Sequence, residues 1–165
     1  MSTDRAALLR LRAEVLRDLG AADALRADLA GRSDAIERGD DPVLLGYAAI
    51  VLHQLYTALE TLFERICRVL EGSLPSGRDS HQALLSDMTL ELPGLRPAVL
   101  AARTADELAV LLRFRHFVRH AYAVAWDPTR LSDVVSATAR VWPAVDRDLR
   151  AFLAFLDDVL AEVDA

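Results

Sequence analysis

The chain has 165 residues, and 53% of them are hydrophobic, which suits one packed domain and is too apolar for a disordered protein. Its 19 basic residues, all of them arginine, are outnumbered by 25 acidic ones, and the net charge of -6 argues against nonspecific coating of nucleic acid by the whole surface. The single cysteine, Cys67, excludes an internal disulfide and a zinc site built from cysteines.

The beginning of the chain shows no signal-peptide pattern, because it carries an acidic residue and lacks an apolar core. No stretch approaches the ~18 continuous apolar residues that a membrane-spanning helix needs. We therefore expect a reduced, cytoplasmic protein that does not enter a membrane.

The first half of the chain predicts two helices joined by a loop. Apolar residues recur at helical spacing over residues 7–29, and Gly31 should end this first helix before a loop at residues 34–41. Asp41-Pro42 has the pattern of an N-cap followed by proline at the first helical position, and the long helix that it opens should end near Gly72. One side of this helix should be a solvated, ion-paired face made of Glu60, Glu64, Arg65 and Arg68.

A short helix follows. Asp79 or Ser80 can cap it, and it should run to about Met88 before a loop rich in proline and glycine at residues 93–97. His81 comes directly after the cap, where we expect it to make a local hydrogen bond and not to act in catalysis.

Two more helices complete the prediction. Thr104 or Asp106 can begin the fourth, and Asp127-Pro128 repeats the cap-plus-proline pattern that opens the last, in which Pro143 should produce a kink. No alternation with a period of two indicates a strand. The sequence therefore predicts an all-α protein, an antiparallel bundle of about five helices that forms a single domain over residues 1–165.

The basic stretch at residues 113–126 is where the chemistry of this acidic chain is concentrated. Three arginines and two histidines lie within eight positions, and no acidic residue lies between Arg113 and Trp126. Arg115 shares a helical face with inward-pointing leucines, and Arg119 and Tyr122 continue that face. An arginine directed at an apolar surface needs a partner, because burial of an unpaired charge is costly. Two partners remain open: a buried carboxylate from another helix, or a phosphate that matches the planar guanidinium.

His120 lies five positions after Arg115, about 140° around a regular helix, so the two side chains cannot meet within one straight helix. They could act on one ligand if the helix loosens near Ala121 or if a second copy completes the site, which favours a homodimer with a composite cleft. His116 and His120 have the i, i+4 spacing of a two-histidine metal site. However, Phe117 stands where the zinc-protease pattern requires glutamate, so we expect no metal.

An arginine and a histidine can cleave RNA without a metal or another cofactor. The histidine transfers a proton during the attack of the ribose 2′-hydroxyl on the adjacent phosphate, and the arginine stabilises the charge that builds on the phosphoryl oxygens. DNA lacks the 2′-hydroxyl, so this chemistry selects RNA.

The motif Arg115-x4-His120-x-Tyr122 resembles the Arg-x4–6-His signature of HEPN domains, in the form that HepT-like toxins carry. The run of residues 113–122, the following Asp127-Pro128-Thr129-Arg130-Leu131, and residues 55–66 and 80–85 are similar to the same family. The resemblance covers about residues 44–160.

This resemblance implies a HEPN-like helical fold, a homodimer whose motifs face a shared cleft, and metal-independent endoribonuclease activity with Arg115 and His120 as the catalytic pair. It also implies a toxin whose antitoxin partner is a minimal nucleotidyltransferase. The antitoxin can modify the motif tyrosine, here Tyr122, with AMP, and the added phosphate would occupy the anion site and block RNA.

Three further residues are candidates for a supporting role. His116 stands where the family often has asparagine, and it can donate a hydrogen bond to phosphate or orient His120. Arg119 adds positive charge, and Glu60 could orient Arg115. The alternative to a ribonuclease is a non-catalytic HEPN-like domain that binds RNA, a nucleotide or another protein.

Overall fold

The computed structural model describes residues 5–77, 79–120 and 125–163. Its regular elements are six α-helices and a π-helical turn: α1 (Arg5–Ala30), α2 (Ser33–Arg38), α3 (Pro42–Ile66), the π-helical turn (Cys67–Glu71), α4 (Ser80–Asp87), α5 (Ala102–His120) and α6 (Pro128–Val163). Within these ranges there is no strand, and a single isolated bridge joins Leu92 to Arg96. The predicted all-α class is confirmed.

The predicted loop at residues 34–41 is wrong for most of its length, because Ser33–Arg38 is helical. Ile36 is fully buried in a core cluster that includes the first turns of α6, so tertiary packing stabilises a helix that the local pattern does not indicate. Gly39 ends α2 with a φ of 71°. A β-carbon at Gly39 would lie 2.4 Å from Cγ of Pro128, so only glycine fits between α2 and the start of α6.

The predicted boundaries of the long second helix are confirmed. The Asp41 carboxylate accepts hydrogen bonds from the backbone N–H groups of Val43 at 2.9 Å and Leu44 at 3.3 Å. The chain then stays helical through α3 and the π-helical turn, until Gly72 adopts a φ of 72°.

By length and composition alone, one segment of the described chain, Pro42–Glu71, could cross a membrane, with a mean hydropathy of 1.4 in its most apolar window. The core helix of a soluble protein meets the same criteria, and 44% of that window is buried. Because α3 packs against α1, α4, α5 and α6, we assign this segment to the core of the bundle.

The solvated face predicted for this helix is only partly present. Glu64 and Arg68 form an exposed ion pair at 3.0 Å, as expected. Arg65, however, reaches across to Glu14 of α1 at 2.7 Å, and Glu60 is buried with 5% of its surface exposed. Arg65 is thus ion-paired as predicted, but with another helix. The prediction for Glu60 is wrong because a neighbouring helix covers it, and periodicity does not say which helix covers a polar position.

The fourth predicted helix, α5, begins at Ala102, before Thr104 and Asp106. Its cap comes from α6: the Asp148 carboxylate accepts hydrogen bonds from the Ala101 N–H at 3.0 Å and from the Thr104 hydroxyl at 2.7 Å. Burial opposes ionisation of Asp148, but these bonds and the neighbouring Arg147 guanidinium outweigh it and lower its pKa. A carboxylate on another helix therefore fixes the beginning of the helix that carries the motif.

The last helix begins as predicted, because the Asp127 carboxylate accepts a hydrogen bond from the Thr129 N–H at 3.0 Å. The helix continues through Pro143 to Val163. The kink at Pro143 and the assignment of residues 1–165 to a single domain stay predictions.

Candidate functional site

Aromatic contacts hold the end of α5 against α6. Phe114 is buried, and the ring of Phe117 meets Trp126 edge-on with 6.3 Å between the ring centroids. The guanidinium of Arg130 lies 4.3 Å from the centre of the Phe117 ring. These contacts fix the helical turns that carry the motif.

Arg115 points into the bundle, as predicted, with 8% of its surface exposed. Its Nη2 lies 2.8 Å from Oε2 of Glu60, so the first of the two partners left open by the sequence, a buried carboxylate from another helix, is present, and the residue named as able to orient Arg115 supplies it. Nε makes only a long hydrogen bond of 3.5 Å to the Thr57 hydroxyl. The remaining nitrogen, Nη1, is buried and has no hydrogen-bond partner within the described residues.

Glu60 holds a second side chain besides Arg115. Its other carboxylate oxygen, Oε1, is hydrogen-bonded to Nδ1 of His81 in the first turn of α4. The prediction of a local hydrogen bond for His81 is therefore wrong, because its partner lies on α3, 21 residues earlier in the chain. One buried carboxylate thus joins an arginine of α5 and a histidine of α4.

The exposed side of the motif carries two histidines, His116 and His120. The rings of His116 and His120 stack obliquely with 4.7 Å between their centroids, which confirms that they share a face of α5. Neither contacts Arg115 in the described structure, as the 140° separation of Arg115 and His120 implies. Tyr122 and Ala121 lie outside the described residues.

Arg119 was expected to continue the inward face, but its side chain is exposed. The reason is an open groove of about 570 Å³ between α3 and α5 at this level. The groove is lined by Ile50, His53, Gln54, Thr57, Ala58, Thr61, Val118 and Arg119.

The sequence reading missed His53, which lines this groove. Burial, and then the positive charges of Arg115 and Arg119, lower the pKa of His53, while Glu60 partly offsets them. His53 could have been found from its spacing, since it lies four positions before Thr57 and seven before Glu60, on the face of α3 that meets α5.

Comparison with known proteins identifies the family. The sequence model described as HepT-like protein matches residues 48–156, more than half of the chain, and this range includes Glu60, His81, Arg115 and His120. The chain belongs to the HepT-like family. HepT-like proteins are part of the HEPN superfamily, and they are commonly toxins of toxin–antitoxin systems. Neither the curated proteins nor the solved structures contain a match to this chain.

The HepT-like motif thus divides into a buried part and an exposed part. Arg115 is a fixed positive charge whose Nη1 has no hydrogen-bond partner among the described residues, and His116 and His120 are accessible imidazole rings. Among residues 5–77, 79–120 and 125–163, no three potential ligands come close enough together to hold a metal ion. The arrangement can bind an anion and transfer protons beside it.

Proposed function

We propose that this HepT-like protein is a metal-independent endoribonuclease, the toxin of a toxin–antitoxin pair. The observation that carries the proposal is the state of Arg115: a buried ion pair with Glu60 fixes its position, and Nη1 lacks a partner among the described residues. A phosphate oxygen is a suitable acceptor for that branch. Support for proton transfer comes from the accessible His116 and His120 in the next turn of the same helix.

In the proposed reaction, the ribose 2′-oxygen forms a bond to the adjacent phosphorus while the bond to the 5′-oxygen breaks. His120 exchanges a proton with one of these oxygens, and Arg115 stabilises the charge on the phosphoryl group. His116 donates a hydrogen bond to the phosphate or orients His120. The exposed Arg119 attracts the RNA backbone.

The active form in this proposal is a homodimer. The α3 helix exposes three large apolar residues on one face, Val43, Tyr47 and Ile50, at four- and three-residue steps, with 80%, 42% and 55% of their surface accessible. A second copy that covers this face would lie along the groove bordered by Ile50 and Arg119, and would bring a second motif to the same cleft.

The proposed partner is a nucleotidyltransferase antitoxin, and the proposed location of the pair is the cytoplasm. Transfer of AMP to Tyr122, two positions after His120, would place a phosphate next to the anion site. That phosphate would compete with RNA for Arg115.

A ribonuclease assay on the purified protein tests the function. Wild-type protein should cleave single-stranded RNA in the presence of EDTA, and Arg115→Ala and His120→Ala should each remove the activity. Cleavage that survives both substitutions would contradict the assignment. RNA binding without cleavage would instead favour the non-catalytic HEPN-like domain.

A further inference from the structure

In the contact between His81 and Glu60, a carboxylate oxygen lies against Nδ1 of the imidazole, an arrangement that is found in proton-transfer sites. Arg115 pairs with the other carboxylate oxygen of Glu60, and the His81 tautomer that suits the contact with Oε1 carries its hydrogen on Nδ1. The second ring nitrogen, Nε2, has no hydrogen-bond partner among the described residues, and 33% of the His81 side chain is exposed. A carboxylate on Nδ1 fixes the tautomer in which Nε2 can accept a proton.

His81 also lies on the side of α5 that carries the exposed histidines. The α4 helix follows α5 along a crevice lined by Gln82, Leu85, Ala105 and Ala109, among others. On a regular helix, Ala109 is within about 20° of both His116 and His120. The start of α4, where His81 binds the carboxylate that holds Arg115, is therefore on the same side of α5 as the accessible part of the motif.

We propose that His81, which the motif does not include, is a proton-transfer residue of the ribonuclease site and the counterpart of His120. The inference rests on the proposed ribonuclease function. Nε2 of His81 takes the proton from the ribose 2′-hydroxyl as the 2′-oxygen bonds to phosphorus. The imidazolium of His120 gives a proton to the 5′-oxygen as its bond to phosphorus breaks. One proton passes from the 2′-oxygen to His81, another from His120 to the 5′-oxygen, and the products are a 2′,3′-cyclic phosphate and a 5′-hydroxyl.

This assignment gives Glu60 two tasks with one carboxylate. Oε2 holds Arg115 at the phosphate, and Oε1 holds the ring of His81 in the tautomer that can act as a base. The two functional side chains come from different helices, α5 and α4, and Glu60 on α3 sets the distance between them.

Two substitutions at His81 separate proton transfer from a structural role. In His81→Asn, the side-chain amide can still donate a hydrogen bond to Glu60 from near the position of Nδ1, but it cannot accept a proton as a base. His81→Ala removes both properties. The matched control is Gln82→Ala, which changes the exposed neighbouring residue of the same helical turn.

The full-length variants are assayed on a fluorescent single-stranded RNA, and thermal unfolding is measured in parallel. We expect both His81 variants to lower kcat by roughly 10²- to 10⁴-fold, the usual contribution of a general base, with little change in KM. Imidazole added to the solution should partly restore cleavage by His81→Ala. Gln82→Ala should cleave at the wild-type rate.

The dependence of cleavage on pH provides a second readout. A base must be unprotonated, so the wild-type kcat should fall at acidic pH, and His81→Asn should lose that acidic limb. The charged groups that face His81 are Glu60 from α3 and, through it, Arg115 from α5.

A wild-type rate in His81→Asn would overturn the proposal while leaving the ribonuclease function intact. An inactive wild-type protein would overturn both. A loss of activity in His81→Ala alone, with a lowered unfolding temperature and no rescue by imidazole, would assign His81 a structural role.

Discussion

Arg96 and Arg115 are both buried, but they differ in how many of their guanidinium nitrogens have hydrogen-bond partners. Arg96 is 3% exposed, and every nitrogen of its guanidinium has a partner. Nε donates to Glu71 at 2.8 Å, and the other two nitrogens donate to the backbone carbonyls of Asp87 at 3.0 Å, Leu90 at 2.8 Å and Pro97 at 3.2 Å. This arginine closes the loop between α4 and α5, and each of its three guanidinium nitrogens has at least one partner.

Arg115 has a carboxylate partner of the same kind, Glu60, but no carbonyl among the described residues accepts a hydrogen bond from its Nη1. An unsatisfied buried donor costs about 1–3 kcal/mol, so such an arrangement has to be explained by a ligand or by function. We therefore expect Arg96 to have a structural role and Arg115, whose Nη1 has no hydrogen-bond partner among the described residues, to bind an anion. Substitution by lysine at each position tests this difference, because lysine keeps the charge and loses the planar fork.

Arg115→Lys should have the largest effect, and the effect should be on activity. The ammonium can still neutralise Glu60, so the fold should remain, but the second branch that would contact the phosphate is lost. We expect RNA cleavage to fall by about 10²–10³-fold, the usual cost of removing a donor that stabilises a transition state. The measurement is kcat/KM on single-stranded RNA. Cleavage within a factor of two of wild type would remove Arg115 from the site.

Arg96→Lys should show the opposite pattern, with stability reduced and cleavage unchanged. Lysine can keep the pair with Glu71, but it leaves buried carbonyls without their donor, at a cost of about 1–3 kcal/mol. Urea unfolding monitored by circular dichroism gives the change in free energy of unfolding. Arg103→Lys, at an arginine whose side chain is 91% exposed, is the matched control and should leave both quantities unchanged. A loss of cleavage in folded Arg96→Lys would contradict the structural assignment.

The two ends of α5 also differ in role: a structural contact holds its beginning, whereas its end carries the HepT-like motif. At the beginning, Oδ2 of Asp148 caps the helix, and Asp148→Ala should lower the free energy of unfolding by about 0.5–2 kcal/mol. The pKa of Asp148 is lowered in the folded protein, so its contribution is present above the pKa of an unfolded aspartate, about 4, and is lost as the pH falls through the folded pKa. Wild-type stability should therefore decrease more steeply than that of Asp148→Ala below about pH 4. Parallel curves in urea unfolding at several pH values would contradict this.

Residues with local signals were predictable from the sequence. The aspartate–proline pairs at 41–42 and 127–128 begin helices as predicted, because an N-cap bonds to backbone two or three residues away. The inward direction of Arg115 was also predictable, since the leucines on the same face fix it. Both predictions depend on residues that lie within one or two turns of the same helix.

Most relations between helices were not predictable. The sequence named Glu60 as a possible partner of Arg115, but it did not indicate that His81 approaches the same carboxylate from α4. The Asp148 cap is 47 residues from its partner, and the helix Ser33–Arg38 depends on burial of Ile36 against α6. The sequence thus predicted the motif and named Glu60 as a residue that could orient Arg115, and the three-dimensional structure added the second contact of this carboxylate, with His81.

The smallest expected effect concerns the groove beside the motif, where His53 and Arg119 face each other. Burial and the charges of Arg115 and Arg119 lower the pKa of His53, because a neighbouring cation disfavours the imidazolium. In Arg119→Ala one of these charges is gone, so the pKa of His53 should rise but stay below its ordinary value, since burial and Arg115 remain. An NMR titration of the His53 ring measures this, with Arg113→Ala as the control for an exposed arginine of α5 that does not line the groove. A pKa for His53 that is unchanged in Arg119→Ala, or equally raised in both variants, would show that Arg119 does not act on this groove, and would remove it from the surface that attracts RNA.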